Sequence, residues 1–256
     1  DPWVRYYQPY LTFEPNKRWK IELLGDIADN RYNFTPQSRE TTFGGTENSK
    51  SLKVYFDGWE KDIFRKYFGS AAVTHSFTEN TKLQLQGSIF FTNEQETYDI
   101  QGQYWLQETG SETGMEDAVG TYSEHARNYL KANVKSVKLT FQHKTKKHNW
   151  LAAFTYKNEN ISENSKEYEM RDSAGYVVPH TGDRLDMIYS LNAQNELKAD
   201  RIEAFVQDSY RFSSQGEHAF FTLNSGVRLA YWSFNKESIV SPRVSLSLAP
   251  AFNHTF

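Results

Sequence analysis

The chain has no cysteine, so neither a disulfide framework nor a thiolate metal site can hold it together. No apolar run approaches the ~18 residues of a membrane-spanning helix, and no charged-then-apolar leader opens the sequence. HExxH and phosphate-cradling glycine loops are absent too, which removes the motif-borne forms of zinc hydrolysis and nucleotide binding. The net charge is −3 over 256 residues, which gives no electrostatic reason to expect a nucleic-acid partner. What this polar chain does contain is aromatics: 16 Tyr, 18 Phe and 6 Trp. Disordered chains are poor in such residues, so these rings mark stable structure and need a surface to sit on.

Period-two alternation recurs along the sequence, and helical spacing hardly appears. Trp19, Ile21, Leu23, Gly25 and Ile27 fall on one face, with Lys20, Glu22, Leu24 and Asp26 on the other. Leu83, Leu85, Gly87, Ile89 and Phe91 alternate with Gln84, Gln86, Ser88 and Phe90. The same pattern runs through Val137, Leu139 and Phe141, through Trp150, Ala152, Phe154 and Tyr156, and through Ile202, Ala204, Val206, Tyr210 and Phe212, a face shared with Asp208. Leu223, Val227, Leu229 and Tyr231 stand opposite Thr222, Asn224, Gly226 and Arg228. About nine such strands are expected.

Tight polar links are expected at Glu14–Lys17, Thr78–Thr81, Lys144–His148 and Ser213–Glu217, each rich in turn-forming or strongly polar residues. Between them lie long polar segments, roughly 34–66, 100–126 and 164–200, which read as loops. Soluble sandwiches have shorter strands and a turn every 8–12 residues. Long alternating strands with short turns at one end and long loops at the other fit an antiparallel transmembrane β-barrel with periplasmic turns and extracellular loops. Trp19, Phe77, Phe141, Trp150, Phe212 and Phe221 lie near the tight links, where an aromatic girdle meets the lipid headgroups. The alternation predicts Leu83, Leu85, Ile89, Phe91, Val137, Leu139, Leu223, Val227 and Leu229 facing lipid. Gln84, Gln86, Ser88, Asn224 and Arg228 are predicted to face the interior.

An odd strand count, with strand-like sequence at both ends, leads to the expectation of a portion of a longer chain. Phe256 then reads as a truncation point rather than a closing residue, because Pro250 would weaken a final strand containing Phe252 and His254.

Several stretches resemble the barrel region of Bacteroidota TonB-dependent receptors, the type with an N-terminal carboxypeptidase-regulatory-like domain. They are Gly58–Phe64 leading to Tyr67-Phe68-Gly69, Thr92–Ile100, Gly120–Asn128, Arg171–Tyr176 and Ser241–Leu246. Together they span nearly the whole chain in the expected order. The resemblance implies that residues 1–256 form a partial all-β barrel domain, about nine strands of a 22-strand outer-membrane barrel. It also implies import of a scarce nutrient of unspecified identity, driven by the TonB complex acting through a plug that this segment lacks. Outer-membrane lipid and the TonB complex are the partners so implied. A passive porin and a soluble or surface glycan-binding module are the alternatives.

The residues themselves assign no catalytic, cofactor-binding or metal-binding role, and the chain reads as a non-enzyme whose substrate residues are undetermined. His143 and His148 flank a basic link and read as solvated or interfacial imidazoles rather than a metal pair. Glu108, Glu112, Glu116 and Asp117 lack the spacing of a calcium loop. Arg228, with Asn224 and Thr222, reads as interior hydrogen bonding.

Overall fold

The computed structural model describes residues 2–45, 49–109, 116–172, 184–213 and 220–249. Every regular element in them is a β-strand, and all pairings are antiparallel. In chain order these are β1 (Trp3–Tyr7), β2 (Tyr10–Asn16), β3 (Trp19–Phe34), β4 (Arg39–Gly44), β5 (Ser49–Thr78), β6 (Thr81–Thr109), β7 (Glu116–Lys144), β8 (His148–Asp172), β9 (Asp186–Ser213), β10 (Phe220–Trp232) and β11 (Glu237–Ala249).

They form one eleven-stranded sheet in the order β1-β3-β5-β6-β7-β8-β9-β10-β11, with β2 also on β3 and β4 also on β5. Eleven strands therefore occupy nine lanes. β1 and β2 as far as Phe13 hold one register against β3, interrupted at Gln8-Pro9, and the register shifts between Phe13 and Asn16. Proline brings no N–H to a ladder, but the Pro9 carbonyl still accepts the Gly25 amide at 2.9 Å. β3 and β4 share a lane against β5, broken at Thr35–Ser38, where Pro36 falls. Each lane pairs only with its sequence neighbours, so the sheet is an up-and-down meander. Neither the β1/β2 edge nor the β11 edge is paired with a further strand among the described residues.

The polar segments expected as loops are mostly strand. β5 runs 30 residues and β6 and β7 run 29 each, which is about 100 Å at ~3.3 Å per residue. The expectation of long loops at one end thus fails. β4 passes to β5 within a few residues, and β10 turns into β11 at 233–236, where Lys236 takes a left-handed φ of 58°. At the opposite end the short links are present. Asn16 Oδ1 accepts the amides of Arg18 (2.9 Å) and Trp19 (3.1 Å), so the first turn sits at Lys17-Arg18, slightly later than the sequence indicates. The Thr78 hydroxyl donates to that of Thr81 at 3.1 Å, and the Thr145 amide donates to the His148 carbonyl at 2.7 Å. Ser213–Glu217 lies almost wholly outside the described residues, as does everything after Ala249.

Among the described residues no second layer covers this sheet. The buried hydrophobic residues are six alanines, and no large side chain is fully buried among the described residues. The accessible surface is 18108 Å², against about 11,600 Å² for a compact monomer of this mass. A water-soluble sandwich would hide its leucines between two sheets. Here Leu85 is 53% exposed and Val137 50%.

Candidate membrane interface

Cross-strand partners project from the same face of a sheet, so the pairings can be read as rows. Ile21, Val73, Leu85, Leu139, Phe154, Ala204, Leu229 and Val240 form one row across eight lanes. The row beside it contains Leu23, Ala71, Gly87, Val137, Tyr156, Ile202 and Tyr231. Together with Leu11 and Phe13 on β2 and Val244 and Leu246 on β11, these rows make a largely apolar belt on one face. Leu83, Leu85, Ile89, Phe91, Val137, Leu139, Leu223, Val227 and Leu229 all lie on it. Gln84, Gln86, Ser88, Asn224 and Arg228 all lie on the other face.

Aromatic rings border the belt. At the turn end the rings of Trp19 and His75 are 4.3 Å apart, His75 and Phe77 4.6 Å, and Tyr210 and Phe212 4.4 Å. Phe141, Trp150 and Phe221 stand at the same end, and all six aromatics singled out from the sequence are exposed on the belt face. At the far end Tyr67 and Phe91 are 6.1 Å apart, with Tyr156 and Tyr231 continuing the border. Beyond it this face turns polar, with Asp29, Arg65, Asn93 and Lys131. One acid, Asp208, lies within the belt near its turn end, where His148 Nδ1 meets it at 2.7 Å beside the Trp150 and Tyr210 rings.

The belt drifts along the strands. On β5 it runs from Phe77 to Tyr67, and on β10 from Phe221 to Tyr231, 11 residues in each case. Following the rows back, Tyr231 is level with Ala71, four residues from Tyr67. A drift of four residues over five lanes, at about 3.3 Å per residue and 4.8 Å per lane, corresponds to strands tilted by roughly 30° to the normal of the belt. Tilted by that angle, 11 residues rise about 29 Å, close to the hydrocarbon thickness of a bilayer.

The other face is polar or mixed and more covered. All six buried alanines (Ala28, Ala72, Ala126, Ala132, Ala153 and Ala199) lie on it. With no second layer among the described residues, that shielding comes from the longer side chains beside them on the same face. Behind the belt its side chains bond across lanes. Gln84 donates to Thr74 (3.1 Å), Gln86 to Ser70 (3.0 Å), Ser209 to Asn224 (2.5 Å) and Arg228 to Glu203 (2.7 Å). Arg228 and Asn224 therefore have hydrogen-bond partners on this face.

Beyond the belt two charge clusters appear that the alternation did not reveal. On the belt-side face, Asp99 is held by Arg127 and His125, Arg127 lies 5.1 Å over Trp59, and His125 stacks on Tyr168 at 4.6 Å. Although burial pushes the Asp99 carboxyl up, these hydrogen bonds outweigh it and hold the group below its ordinary value. On the opposite face Glu60, Asp62 and Glu124 are pushed up, in each case first by burial and next by neighbouring carboxylates. His143 and His148 do not converge: His143 meets the Thr81 hydroxyl at 2.9 Å and His148 meets Asp208. Glu108 pairs with Lys50 at 3.8 Å, Glu112 lies outside the described residues, and no three potential ligands among the described residues are arranged to hold a metal ion.

No protein-family model matches the chain, and no curated protein matches it in sequence.

Proposed function

We propose that this chain is part of the wall of an outer-membrane β-barrel, and that the parent protein is a TonB-dependent receptor importing a scarce nutrient. The observation that carries the membrane reading is the uncovered apolar belt, 11 residues tall, edged by aromatic rings and drifting as tilted strands require. Such a belt in water is a liability, whereas in lipid it is the expected outer surface of a barrel. The meander supports a barrel wall, since lanes added at either edge would extend it without rerouting a strand. The receptor reading rests on the ordered family-like stretches in the sequence.

Two measurements separate these levels. Single-tryptophan variants in vesicles of brominated lipid should show quenching at Trp19 and Trp150 and none at Trp59; equal response at all three would sink the membrane reading. Uptake by cells carrying the full parent gene should disappear when the TonB complex is disabled. Uptake that persists would replace the receptor with a passive porin while leaving the barrel intact.

A further inference from the structure

Just beyond the aromatic border, at the end away from the turns, the belt-side face carries guanidinium groups that a single carboxylate only partly neutralises. Arg5, Asp29 and Arg65 are successive partners in one row across β1, β3 and β5, and Arg31 lies in the next row above Asp29. Arg31 grips Asp29 through Nε (3.2 Å) and Nη2 (3.1 Å), while Arg65 turns its Nε toward it at 3.5 Å. Arg5 enters no ion pair among the described residues. Its guanidinium lies 4.1 Å over the Trp3 ring, and that of Arg31 lies 4.8 Å over the same ring. Hydrogen bonding from Arg31 holds the Asp29 carboxyl below its ordinary value, so at neutral pH one negative charge meets three positive ones.

The excess positive charge sits at one height. Tyr67 closes the belt on β5, and Arg65 stands two residues above it, which is about 6 Å on a strand tilted by roughly 30°. The polar layer on each side of a bilayer's hydrocarbon is about 5–8 Å deep, so a belt seated in lipid puts Arg5 and Arg65 among the headgroups. The row continues through Asn93 to Lys131, another cation without an ion pair among the described residues. The Arg31 and Arg65 side chains are 41% and 36% exposed, so they can be reached from the lipid side. Arg5 and Arg65 stand two lanes apart, about 10 Å, a gap that two side chains of this length can close on one anion. A guanidinium offers paired N–H donors that match the oxygens of a phosphate.

We propose that Arg5, Arg31 and Arg65 form a site for the phosphate of an anionic lipid, whose acyl chains lie on the belt below, against Ile27 and Tyr67. The site rests on the membrane reading, and its test keeps the two apart.

The full chain is reconstituted in phosphatidylcholine vesicles, and spin-labelled phosphatidylglycerol is compared with spin-labelled phosphatidylcholine by electron paramagnetic resonance. Both labels should show a motionally restricted population at the protein surface, larger for phosphatidylglycerol by at least about twofold. Each cation at a membrane surface is worth about a fivefold factor at its own site, and the measurement averages that gain over all lipids touching the wall. Arg31→Gln/Arg65→Gln should bring the two labels to parity while leaving the phosphatidylcholine population intact. Arg5→Gln alone, which breaks no ion pair, should lower the preference as well. Lys138→Gln/Lys157→Gln removes the same charge from the opposite face and should keep the preference. Inorganic phosphate replacing chloride at equal ionic strength should also keep it; loss there would assign the site to free phosphate and overturn the lipid. Parity in the unaltered chain, or equal loss in both double variants, would overturn the site and leave the membrane reading standing. Absence of a restricted population with either label would overturn the membrane reading, and the site with it.

Discussion

The belt's height fixes how much each residue on it should matter. On β6 the belt spans Leu83 to Phe91, and on β10 Phe221 to Tyr231, so Val227 lies nearer the middle than Leu229, although Leu229 shares a row with Leu85. Leu85→Arg and Val227→Arg are expected to cost roughly 2–4 kcal/mol each in refolding titrations into lipid. Leu229→Arg should cost less, and Gln86→Arg on the polar face very little. Equal costs at Leu85 and Gln86 would contradict the assigned faces. Above the belt, the two charge clusters predict opposite pH responses. Asp99 is held below its ordinary 3.8, so its contribution is present above that value and is lost as pH falls through the folded value. Glu60, Asp62 and Glu124 are raised, so their contribution is full below their ordinary values and is lost as pH rises through the folded ones. At neutral pH, Asp99→Asn should accelerate hydrogen exchange at the upper ends of β6 and β7. Asp62→Asn should slow exchange in β5 and β6, and below Asp62's ordinary value of 3.8 the effect should vanish.

For the individual strands, the sequence was informative only where the two faces differ in polarity. Leu83 to Phe91 alternates apolar with mostly polar because one face meets the belt, and that contrast revealed both the strand and its direction. Asn164 to Glu169 carries polar residues on both faces apart from Tyr168, so the period of two leaves no trace there and this stretch reads as part of a loop. Its structure comes from pairing with neighbouring lanes, which a single sequence does not display. The cluster around Asp99 was hidden for the same reason, since Trp59, Asp99, His125 and Tyr168 are brought into one row only by the register of four strands. Gly58 is a strand feature of another kind. Its φ is +120°, and an added Cβ would lie 1.9 Å from the Asp99 carbonyl oxygen. Gly58→Ala should therefore open the β5–β6 ladder locally, by about 1–3 kcal/mol, seen as faster exchange around Ile100 while the belt rows stay protected. Polarised infrared dichroism of oriented membranes should return a strand tilt of roughly 30°; strands parallel to the normal would mean the belt has been drawn wrongly.

At the scale of the molecule, the turn end and the extended end should face opposite compartments. Outer-membrane barrels keep their short turns in the periplasm, so Lys146→Cys should react with an impermeant thiol label only after permeabilisation. Gly45→Cys, at the extended end, should react in intact cells. Reversed labelling would invert the topology while leaving the belt where it is. The pairing of each lane only with its sequence neighbours has a further consequence, which concerns how such a wall is altered. The hairpin is its unit of change. Inserting or deleting one hairpin at the edge of another alters the width of the sheet and leaves every remaining register as it was, because no strand crosses over a second. A sandwich or a doubly wound sheet lacks this freedom, since a lost strand there exposes the layer packed upon it. The sheet can therefore change its width by whole hairpins and the height of its extension by lengthening individual strands, and these two dimensions vary independently.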